Sequence, residues 1–298
     1  MAHVDVSIII VNYNTCKLTL QCIASIYQQT KGISFEVIVV DNDSSDGSAD
    51  KIAAQFPGVN LIRSKTNTGF GKANNLGARQ AKGKYLFLLN SDTVLIENTV
   101  KVQKDFLAQT KGQKIGVIGC NMLDANRQPI TSYGNFPSIF QELFEYGFSK
   151  IFRDYYKSKV SIAVTDNSKA MKEVDYIIGA AMFFEKDTFN AFGGFDEDFF
   201  LYFEETEFCY RMAGLGYKVI WNPDTAIIHY VSASGKNGEG INYRIVEEFY
   251  KSKRLYFKKC HGKLTASVIN YLSVPKVLIN YRHFNMRKIL RILLNSSK

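Results

Sequence analysis

Three polar clusters contain the side chains best suited to chemistry. They are residues 41–47, the tripeptide Asn90-Ser91-Asp92 and the tetrapeptide Glu204-Glu205-Thr206-Glu207. Their carboxylates can bind a cation, take a proton from a hydroxyl or accept hydrogen bonds from a nucleobase. The same residue types also cap helices, so the surroundings of each cluster decide its chemistry.

The tripeptide Asn90-Ser91-Asp92 stands where an apolar strand, Tyr85 to Leu89, ends. A hard divalent cation prefers oxygen ligands and usually takes one or two protein carboxylates together with substrate phosphates. One aspartate at a strand end is therefore sufficient for such a site. The tripeptide is explained equally well as the N-cap of a helix that begins near Ile96.

Glu204, Glu205 and Glu207 place three carboxylates within four residues at the predicted start of a helix. One carboxylate beside an acceptor hydroxyl would act as a general base, a role that typically contributes about 10²–10⁴-fold to a rate. Its neighbours would orient it or bind the acceptor. The alternative is that these residues only stabilise the positive end of the helix dipole.

His229 follows the apolar residues Ala226-Ile227-Ile228. A lone histidine at a strand end is usually a hydrogen-bonded structural residue. Beside an aspartate ligand it becomes a candidate second metal ligand, since imidazole suits Mn²⁺ tolerably and Mg²⁺ less well. Gly69-Phe70-Gly71 fits neither of the glycine patterns that bind phosphates, which disfavours a dinucleotide oxidoreductase or an NTPase.

Alternating strands and helices must position these clusters. Ser7 to Val11 and Phe35 to Val40 are continuous apolar strands, and a helix is predicted between them from about Cys16 to Gln29. Buried strands separated by helices are typical of a parallel sheet covered on both faces. Ligands bind outside the carboxyl ends of such strands, where Tyr13 could stack on a base. The sequence therefore predicts an α/β fold with a ligand site at that edge.

Length and composition bound the class of protein. The chain has 298 residues and is 46% hydrophobic, which is enough for one large domain and a small appendage. Its five cysteines are scattered without a CxxC pair, and its first residues do not resemble a signal peptide, so we expect a cytoplasmic location. The sequence contains no run of 18 apolar residues, so we expect no membrane span.

The net charge of +9 comes from the end of the chain, because residues 251–298 hold 12 Lys and Arg and no Asp or Glu. Amphipathic helices are predicted from Ile245 onward, with an interruption near Pro275. Arg287 and Arg291 lie beside apolar residues, which suits a helix in the anionic interface of the inner face of the plasma membrane. A packing helix with a solvated basic face, or a homodimer contact, is the alternative. The body is mildly acidic and lacks a nucleic-acid-binding motif, so we expect no nucleic acid partner.

Five segments together resemble the family 2 glycosyltransferases, and within them the bacterial rhamnosyltransferase branch. In chain order they are Val11-Asn12-Tyr13-Asn14, residues 40–48, residues 67–70 with 74–77, Leu89-Asn90-Ser91-Asp92 and residues 203–211. The resemblance covers roughly residues 4–235. It implies a GT-A fold, which is a mostly parallel Rossmann-like sheet flanked by helices, here with a C-terminal helical appendage. It also implies inversion at the anomeric carbon.

The resemblance assigns roles residue by residue. Glu205 stands where the family usually has an aspartate base, while Asp92 and His229 match positions that bind Mn²⁺ or Mg²⁺. Asn90 stands where the metal motif usually has its first acid. Residues expected to orient the base or bind the acceptor are Glu204, Glu207 and Arg211. Residues expected to bind the nucleotide sugar are Val11, Tyr13, Asp41, Asn42, Asn67, Gly69, Phe70, Asn75, Ser91 and Asp92.

The implied reaction moves a sugar from a nucleotide diphosphate donor, with dTDP-β-L-rhamnose the predicted donor, to a hydroxyl of a lipid-linked or polysaccharide acceptor in bacterial cell-surface glycan synthesis. UDP-galactofuranose or a UDP-hexosamine is the alternative donor. A non-catalytic sugar-nucleotide or glycan-binding module is the alternative class. Residues 1–244 are predicted to form the GT-A domain, with the donor site in 1–120 and the acceptor part in 121–244, and residues 245–298 a basic helical segment.

Overall fold

The chain folds around one large β-sheet with helices on both faces. A computed structural model describes residues 3–144, 165–166, 168–230, 243–280 and 286–294. The strands within these residues are β1 Val6–Asn12, β2 Phe35–Asp41, β3 Asn60–Arg63, β4 Tyr85–Asn90, β5 Thr93–Leu95, β6 Ile115–Leu123, β7 Tyr133–Gly134, β8 Lys172–Val174, β9 Tyr176–Ile177, β10 Ala181–Glu185 and β11 Lys218–His229. The helices are α1 Cys16–Gln29, α2 Ser48–Gln55, α3 Phe70–Gln80, α4 Thr99–Gln109, α5 Ile139–Phe144, α6 Lys186–Ala191, α7 Glu204–Gly214, α8 Tyr243–Asn280 and α9 Met286–Leu294.

β1 lies between β2 and β4 and pairs with both in parallel, while β3 extends the sheet beyond β2. These strands are apolar along most of their length because both of their faces are covered. The register sets Asn12 level with Asp41, and Val11 level with Asn90. The polar residues that end the three strands therefore meet at one edge of the sheet.

The other half of the sheet mixes strand directions. β10 is antiparallel to β4 and β6, and β11 runs parallel to β6 but antiparallel to β5 and β8. The strand order is β3-β2-β1-β4-β10-β6-β11-β5, with β8 beside β11. In this arrangement His229, at the end of β11, is the partner of Thr93 in β5. The histidine is thereby brought next to Asp92.

Alternate side chains of β1 enter two different hydrophobic cores. Ile8 and Ile10 pack in the layer that contains Ile23 of α1. Ile9 belongs to the opposite layer, which contains Phe208 and Met212 of α7. This alternation follows from the period of two in a strand, so a continuous apolar sequence is what a doubly covered strand needs. The predicted α/β class with a mostly parallel sheet is confirmed.

Local predictions along the first half are mostly confirmed, with one correction. α1 has the predicted bounds. The helix expected near Ile96 begins instead at Thr99, because β5 occupies residues 93–95. Asp92 is thus followed by a strand, and its side chain is not the N-cap of a helix.

The predicted interruption near Pro275 is wrong. Helical dihedral angles break instead at Gly262, where φ is 87° and ψ is 165°, and Pro275 lies inside α8. A backbone with this φ suits glycine, which has no Cβ to clash. α8 packs on the body through Tyr256 and Phe257, which contact a cluster that includes Phe203. The division of the chain at residues 244 and 245 stays a prediction.

α9 is packed against α8. Ile289 and Leu293 of α9 are buried in a cluster with Tyr250 and Val277 of α8. The apolar face that the sequence assigned to a membrane interface therefore has a protein partner, which favours the alternative of a packing helix with a solvated basic face. None of the helices in the described part of the chain is long and apolar enough to cross a bilayer.

Candidate active site

A cavity of about 400 Å³ opens at the carboxyl ends of β1, β2 and β4. Its described lining consists of Val11, Tyr13, Asn14, Thr15, Asn42, Asn67, Gly69, Phe70, Asn90, Ser91, Asp92, Phe200, Leu201, Arg244, Ile245 and Glu248. Eight of the ten residues predicted to bind a nucleotide sugar are in this set, and Asp41 and Asn75 are not. A cleft of this volume with a mixed polar and aromatic lining suits a nucleotide-sized ligand.

Asp41 lies beneath the cavity, where it joins the ends of β1 and β2. Its Oδ2 accepts a hydrogen bond of 2.7 Å from Nδ2 of the buried Asn12, and its Oδ1 accepts one of 3.1 Å from the Ser44 backbone N–H. Oδ1 of Asn12 accepts hydrogen bonds from the hydroxyls of Thr15 and Thr19, at 2.8 and 2.6 Å. Asp41 and Asn12 therefore hold the floor of the site, and direct contact of Asp41 with a nucleobase stays a prediction.

Asn42 fixes the loop that leads into α3. Its buried side-chain amide donates to Oδ1 of Asn67 at 3.0 Å and to the carbonyl of Gly69 at 3.1 Å. Its Oδ1 accepts from the backbone N–H of Thr68 at 3.0 Å. One side chain thus satisfies several polar groups of the loop, which sets the shape of this wall of the cavity.

Gly69 allows two parts of the backbone to meet at the cavity wall. Its φ is 87° and its ψ is 177°, a region that is accessible essentially to glycine alone. A Cβ placed on Gly69 would lie 2.2 Å from the carbonyl oxygen of Phe200. That carbonyl accepts a 2.8 Å hydrogen bond from the N–H of Phe70. The loop before α7 is therefore fastened to the wall of the cavity that contains Gly69 and Phe70.

Asn75, Glu207 and Arg211 support the turn that precedes α7. Asn75 exchanges two hydrogen bonds with the backbone of Phe195, at 2.8 and 2.9 Å. Nε of Arg211 donates to Glu207 Oε1 at 2.6 Å, and its Nη2 donates to the carbonyl of Gly194 at 2.8 Å. These contacts give the three residues a structural role, and their predicted roles toward donor or acceptor stay predictions.

The sheet brings Asp92 and His229 together at the edge of the cavity. Oδ1 of Asp92 lies 3.2 Å from Nε2 of His229, and their side chains are 6% and 11% exposed. The carbonyl of Asp92 also accepts a 2.9 Å hydrogen bond from the N–H of Tyr230. A carboxylate oxygen and an imidazole nitrogen this close can bind one divalent cation as neighbouring ligands.

The rest of a metal shell would come from outside the protein. Among the described residues, no group of three or more His, Cys, Asp and Glu side chains is placed to hold a metal. Oδ1 of Asn90 is buried beside Asp92 in the cavity lining and has no hydrogen-bond partner among the described residues. Mg²⁺ and Mn²⁺ sites that act on nucleotides commonly combine few protein ligands with water and phosphate oxygens. The residues present therefore fit such a cation.

α7 begins after two residues with unusual backbone. Tyr202 and Phe203 have φ values of 71° and 68°, in the left-handed region that non-glycine residues rarely adopt. Such strain costs of order 1–3 kcal/mol per residue and clusters at functional sites. Glu204 and Glu205 follow these two residues directly and form the first turn of α7. No pattern in the sequence reveals this strain, because neither residue is glycine or asparagine.

Glu205 is a carboxylic acid that titrates near neutral pH. Burial raises the pKa of Glu205 to about 7. Burial, and next the Glu205 carboxylate, raise the pKa of Glu204 well above its usual range. Oε2 of each is buried without a hydrogen-bond partner among the described residues. These are the properties of a candidate general base with a neutral neighbour.

Glu205 flanks the cavity lining without belonging to it. A Cβ placed on Gly179 would lie 3.7 Å from Cβ of Glu205 and 3.5 Å from Cε1 of Phe70. Phe70 is a lining residue. Glu205 and the lining residue Phe70 therefore approach the same point beside Gly179.

The start of α8 completes the cavity. Arg244, Ile245 and Glu248 line it, and the hydroxyl of Ser252 donates a 2.7 Å hydrogen bond to the carbonyl of the lining residue Leu201. No sequence pattern indicated these residues, because they lie far along the chain from the strand ends. The cavity lining thus extends beyond residue 120, and the assignment of the donor site to residues 1–120 stays a prediction.

The chain matches the sequence model of the family described as Glycosyl transferase family 2 over residues 7–189, and it belongs to that family. It is 27% identical over 212 residues to the low-salt glycan biosynthesis hexosyltransferase Agl10 of Haloferax volcanii, covering 70% of this chain and 61% of that protein. It is 20% identical over 212 residues to the N-acetylglucosaminyl-diphospho-decaprenol L-rhamnosyltransferase of Mycobacterium tuberculosis, covering 66% of this chain and 67% of that protein.

Solved glycosyltransferases share the fold. The mannosyltransferase PcManGT of Pyrobaculum calidifontis, in complex with GDP-Man and Mn²⁺, superposes with a TM-score of 0.57 at 18% identity, covering 99% of this chain and 74% of that one. GalNAc-T7 with UDP, GalNAc and Mn²⁺ gives a TM-score of 0.62 at 13% identity, covering 99% and 55%. These likenesses confirm the GT-A fold. The chain spans 61% of the haloarchaeal relative and 17% of the O-antigen biosynthesis protein RfbC of Myxococcus xanthus.

We expect Gly69→Ala to weaken nucleotide binding, because the new methyl group would displace the Phe200 carbonyl from the cavity wall. The measurement is the thermal stabilisation produced by whichever of UDP, dTDP and GDP stabilises the wild type. Gly47→Ala is the matched control, since Gly47 also has a positive φ of 76° but a Cβ there meets nothing within 4 Å. An unchanged nucleotide response in Gly69→Ala would contradict the assignment.

Proposed function

We propose that this chain is an inverting glycosyltransferase that moves a sugar from a nucleotide diphosphate donor to an acceptor hydroxyl. The observation that carries the proposal is the arrangement around one cavity of the Asp92 and His229 pair, 3.2 Å apart, and of Glu205, whose pKa is raised to about 7. Membership of glycosyl transferase family 2 supports the reaction class.

Glu205 would take the proton of the acceptor hydroxyl while the hydroxyl oxygen attacks the anomeric carbon of the donor. The bond to the diphosphate breaks on the opposite face, so the configuration inverts and the diphosphate leaves with the bonding electrons. A base with a pKa near 7 is about half ionised at pH 7, and its ionised form binds a proton well enough to take one from the acceptor. Glu205 has one methylene more than the aspartate usual in the family.

The remaining cavity residues would hold the donor. Tyr13 is 45% exposed at the mouth and could stack on the base. Arg244 offers a positive charge in the lining, suited to a diphosphate. Asp92 and His229 would hold a divalent cation, which when bound compensates the charge of the departing diphosphate.

We take dTDP-β-L-rhamnose as the donor and a lipid-linked glycan as the acceptor, so the product is an α-L-rhamnoside. The named L-rhamnosyltransferase of M. tuberculosis, matched over 66% of this chain, supports this choice. A uridine donor is the second candidate, because the structurally similar TarS of S. aureus was solved with UDP. A lipid-linked acceptor would place the reaction at the cytoplasmic face of the membrane.

Glu205→Gln should lower transfer by about 10² or more and leave nucleotide affinity unchanged, since it removes the base without touching the cavity lining. The rate of the wild type should rise with pH through about 7, because only the ionised carboxylate accepts the proton. Initial rates against pH, with the nucleotide affinity of each variant, provide the check.

Glu204→Gln is the matched control for that experiment. Glu204 has a pKa held well above its usual range, so we expect it to keep its proton while Glu205 ionises, and glutamine imitates that neutral form. It should retain most of the transfer rate. If Glu204→Gln were inactive and Glu205→Gln active, the base would be Glu204.

Transfer should require Mn²⁺ or Mg²⁺ held by Asp92, because the diphosphate leaves with uncompensated charge otherwise. Chelation and Asp92→Ala should each abolish transfer, and Asp92→Ala should also lose the Mn²⁺-dependent thermal stabilisation of the nucleotide complex. Asp50→Ala, at an exposed position, is the control. Full activity in excess chelator would exclude this role for Asp92 and His229.

A panel of nucleotide sugars tests the donor. At about 100 times its Kd, a ligand adds roughly 2.7 kcal/mol of stability, which thermal denaturation detects readily. We expect dTDP-β-L-rhamnose to stabilise the chain more than UDP-galactofuranose, a UDP-hexosamine or GDP-mannose, and to be consumed with a lipid-linked acceptor. Stabilisation by a uridine donor would establish the second candidate, and binding without transfer would favour a non-catalytic module.

A further inference from the structure

The part of α8 that follows its break is apolar on its exposed side as well as on its buried side. Leu264 is 81% exposed and Tyr271 is 62% exposed. Ile269 and Val277, on the other side of the same helix, are fully buried. A surface helix of a folded protein normally buries its apolar side chains and exposes its polar ones. The exposed side of this helix therefore has the composition of a covered surface.

The exposed apolar residues form one line along the helix, here called the α8 stripe. It consists of Leu264, Val268, Tyr271, Pro275, Leu278 and Ile279. At about 3.6 residues per turn these positions fall within roughly 100° of the helix circumference and extend over about 22 Å. A continuous exposed apolar surface of this kind marks an interaction site.

α9 contacts a different side of the same helix. The α8 residue that packs with Ile289 and Leu293 is Val277. By helical periodicity Val277 lies on the side of α8 opposite to Leu264 and Pro275. The stripe and the α9 contact are therefore separate surfaces, and the apolar face of α9 does not account for the stripe.

The charge of the segment that carries the stripe indicates what covers it. Residues 251–298 contain 12 Lys and Arg and no acidic residue. Lys258 and Lys263 are exposed just before the stripe, and Arg287 and Arg291 are exposed on α9. Near an anionic lipid surface each such residue is attracted to the headgroups, while apolar side chains enter the interface.

A second copy of the chain fits this surface less well. Two stripes packed together would bring two basic, acid-free segments side by side, without the opposite charges that flank the apolar seam of paired helices. Pro275 also stands in the middle of the stripe, where a helix pair needs close and regular packing. A lipid surface requires neither charge pairs nor a fixed register.

We propose that the α8 stripe is the membrane-contact face of this chain and rests on an anionic bilayer surface. α8 begins at the cavity, where Arg244 and Glu248 line the wall, so the helix that closes the site also carries the stripe. The inference rests on the proposed function only for the acceptor: a lipid-linked substrate would lie in the surface that the stripe contacts.

Co-sedimentation of the full chain with vesicles tests the proposal without donor, acceptor or metal. The wild type should bind phosphatidylcholine vesicles containing phosphatidylglycerol, bind vesicles of phosphatidylcholine alone more weakly, and be released by high salt. The variant Leu264→Ser, Tyr271→Ser, Ile279→Ser should bind the anionic vesicles at least about tenfold more weakly. Its nucleotide response should equal that of the wild type.

The matched control replaces two exposed apolar residues outside α8, with Leu215→Ser and Met171→Ser, and should bind vesicles as the wild type does. Equal binding by the stripe variant and the wild type, or no binding by either, overturns the proposal. A dimer seen by analytical ultracentrifugation and lost in the stripe variant, without vesicle binding, would assign the stripe to a second copy. Glycosyl transfer is measured separately, so a failure of the proposed function leaves this result interpretable.

Discussion

The parallel pairing of β1 with β2 and β4 is the constraint on which the site depends. It sets Asn12 beside Asp41 and Val11 beside Asn90, so residues far apart in sequence share one edge. Nδ2 of the buried Asn12 then bonds Asp41 Oδ2 at 2.7 Å, which fixes the ends of two strands to each other. A slip of the pairing would move this amide out of reach and leave polar groups buried and unpaired.

Two features at the start of α7, a buried carboxylate and a strained backbone, lower the stability of the folded chain. In the folded chain burial raises the pKa of Glu205 from 4.5 to about 7. Across that interval the unfolded chain holds fewer protons than the folded one, so the contribution of Glu205 to stability falls as the pH rises. The left-handed backbone of Tyr202 and Phe203 adds strain at the same place. Packing elsewhere, such as the contact of Phe203 with Tyr256, must offset both.

Sequence patterns predicted those strands and site residues whose positions depend on residues close to them in the chain. The apolar runs predicted β1, β2 and β4. The polar residues after these runs predicted most of the cavity lining, because most lining residues lie within a few positions of a strand end. Arg244 and Leu201 were missed, since their approach to that edge is decided by the packing of α8 on the body. The break at Gly262 was missed because Pro275 is the commoner helix breaker, whereas only the folded chain reveals the φ of 87°.

α8 contributes both to the wall of the cavity and to the exposed α8 stripe, two features that no sequence pattern connects. Its first turns bring Arg244 and Glu248 to the cavity, and the hydroxyl of Ser252 ties it to Leu201. Beyond Gly262 the same helix carries the α8 stripe, within the basic end of the chain. Tyr256 and Phe257 before the break and Ile269 after it are fully buried in one cluster, so both parts of α8 are packed on the body. A helix so anchored would hold the cavity at a fixed position relative to whatever surface the stripe contacts.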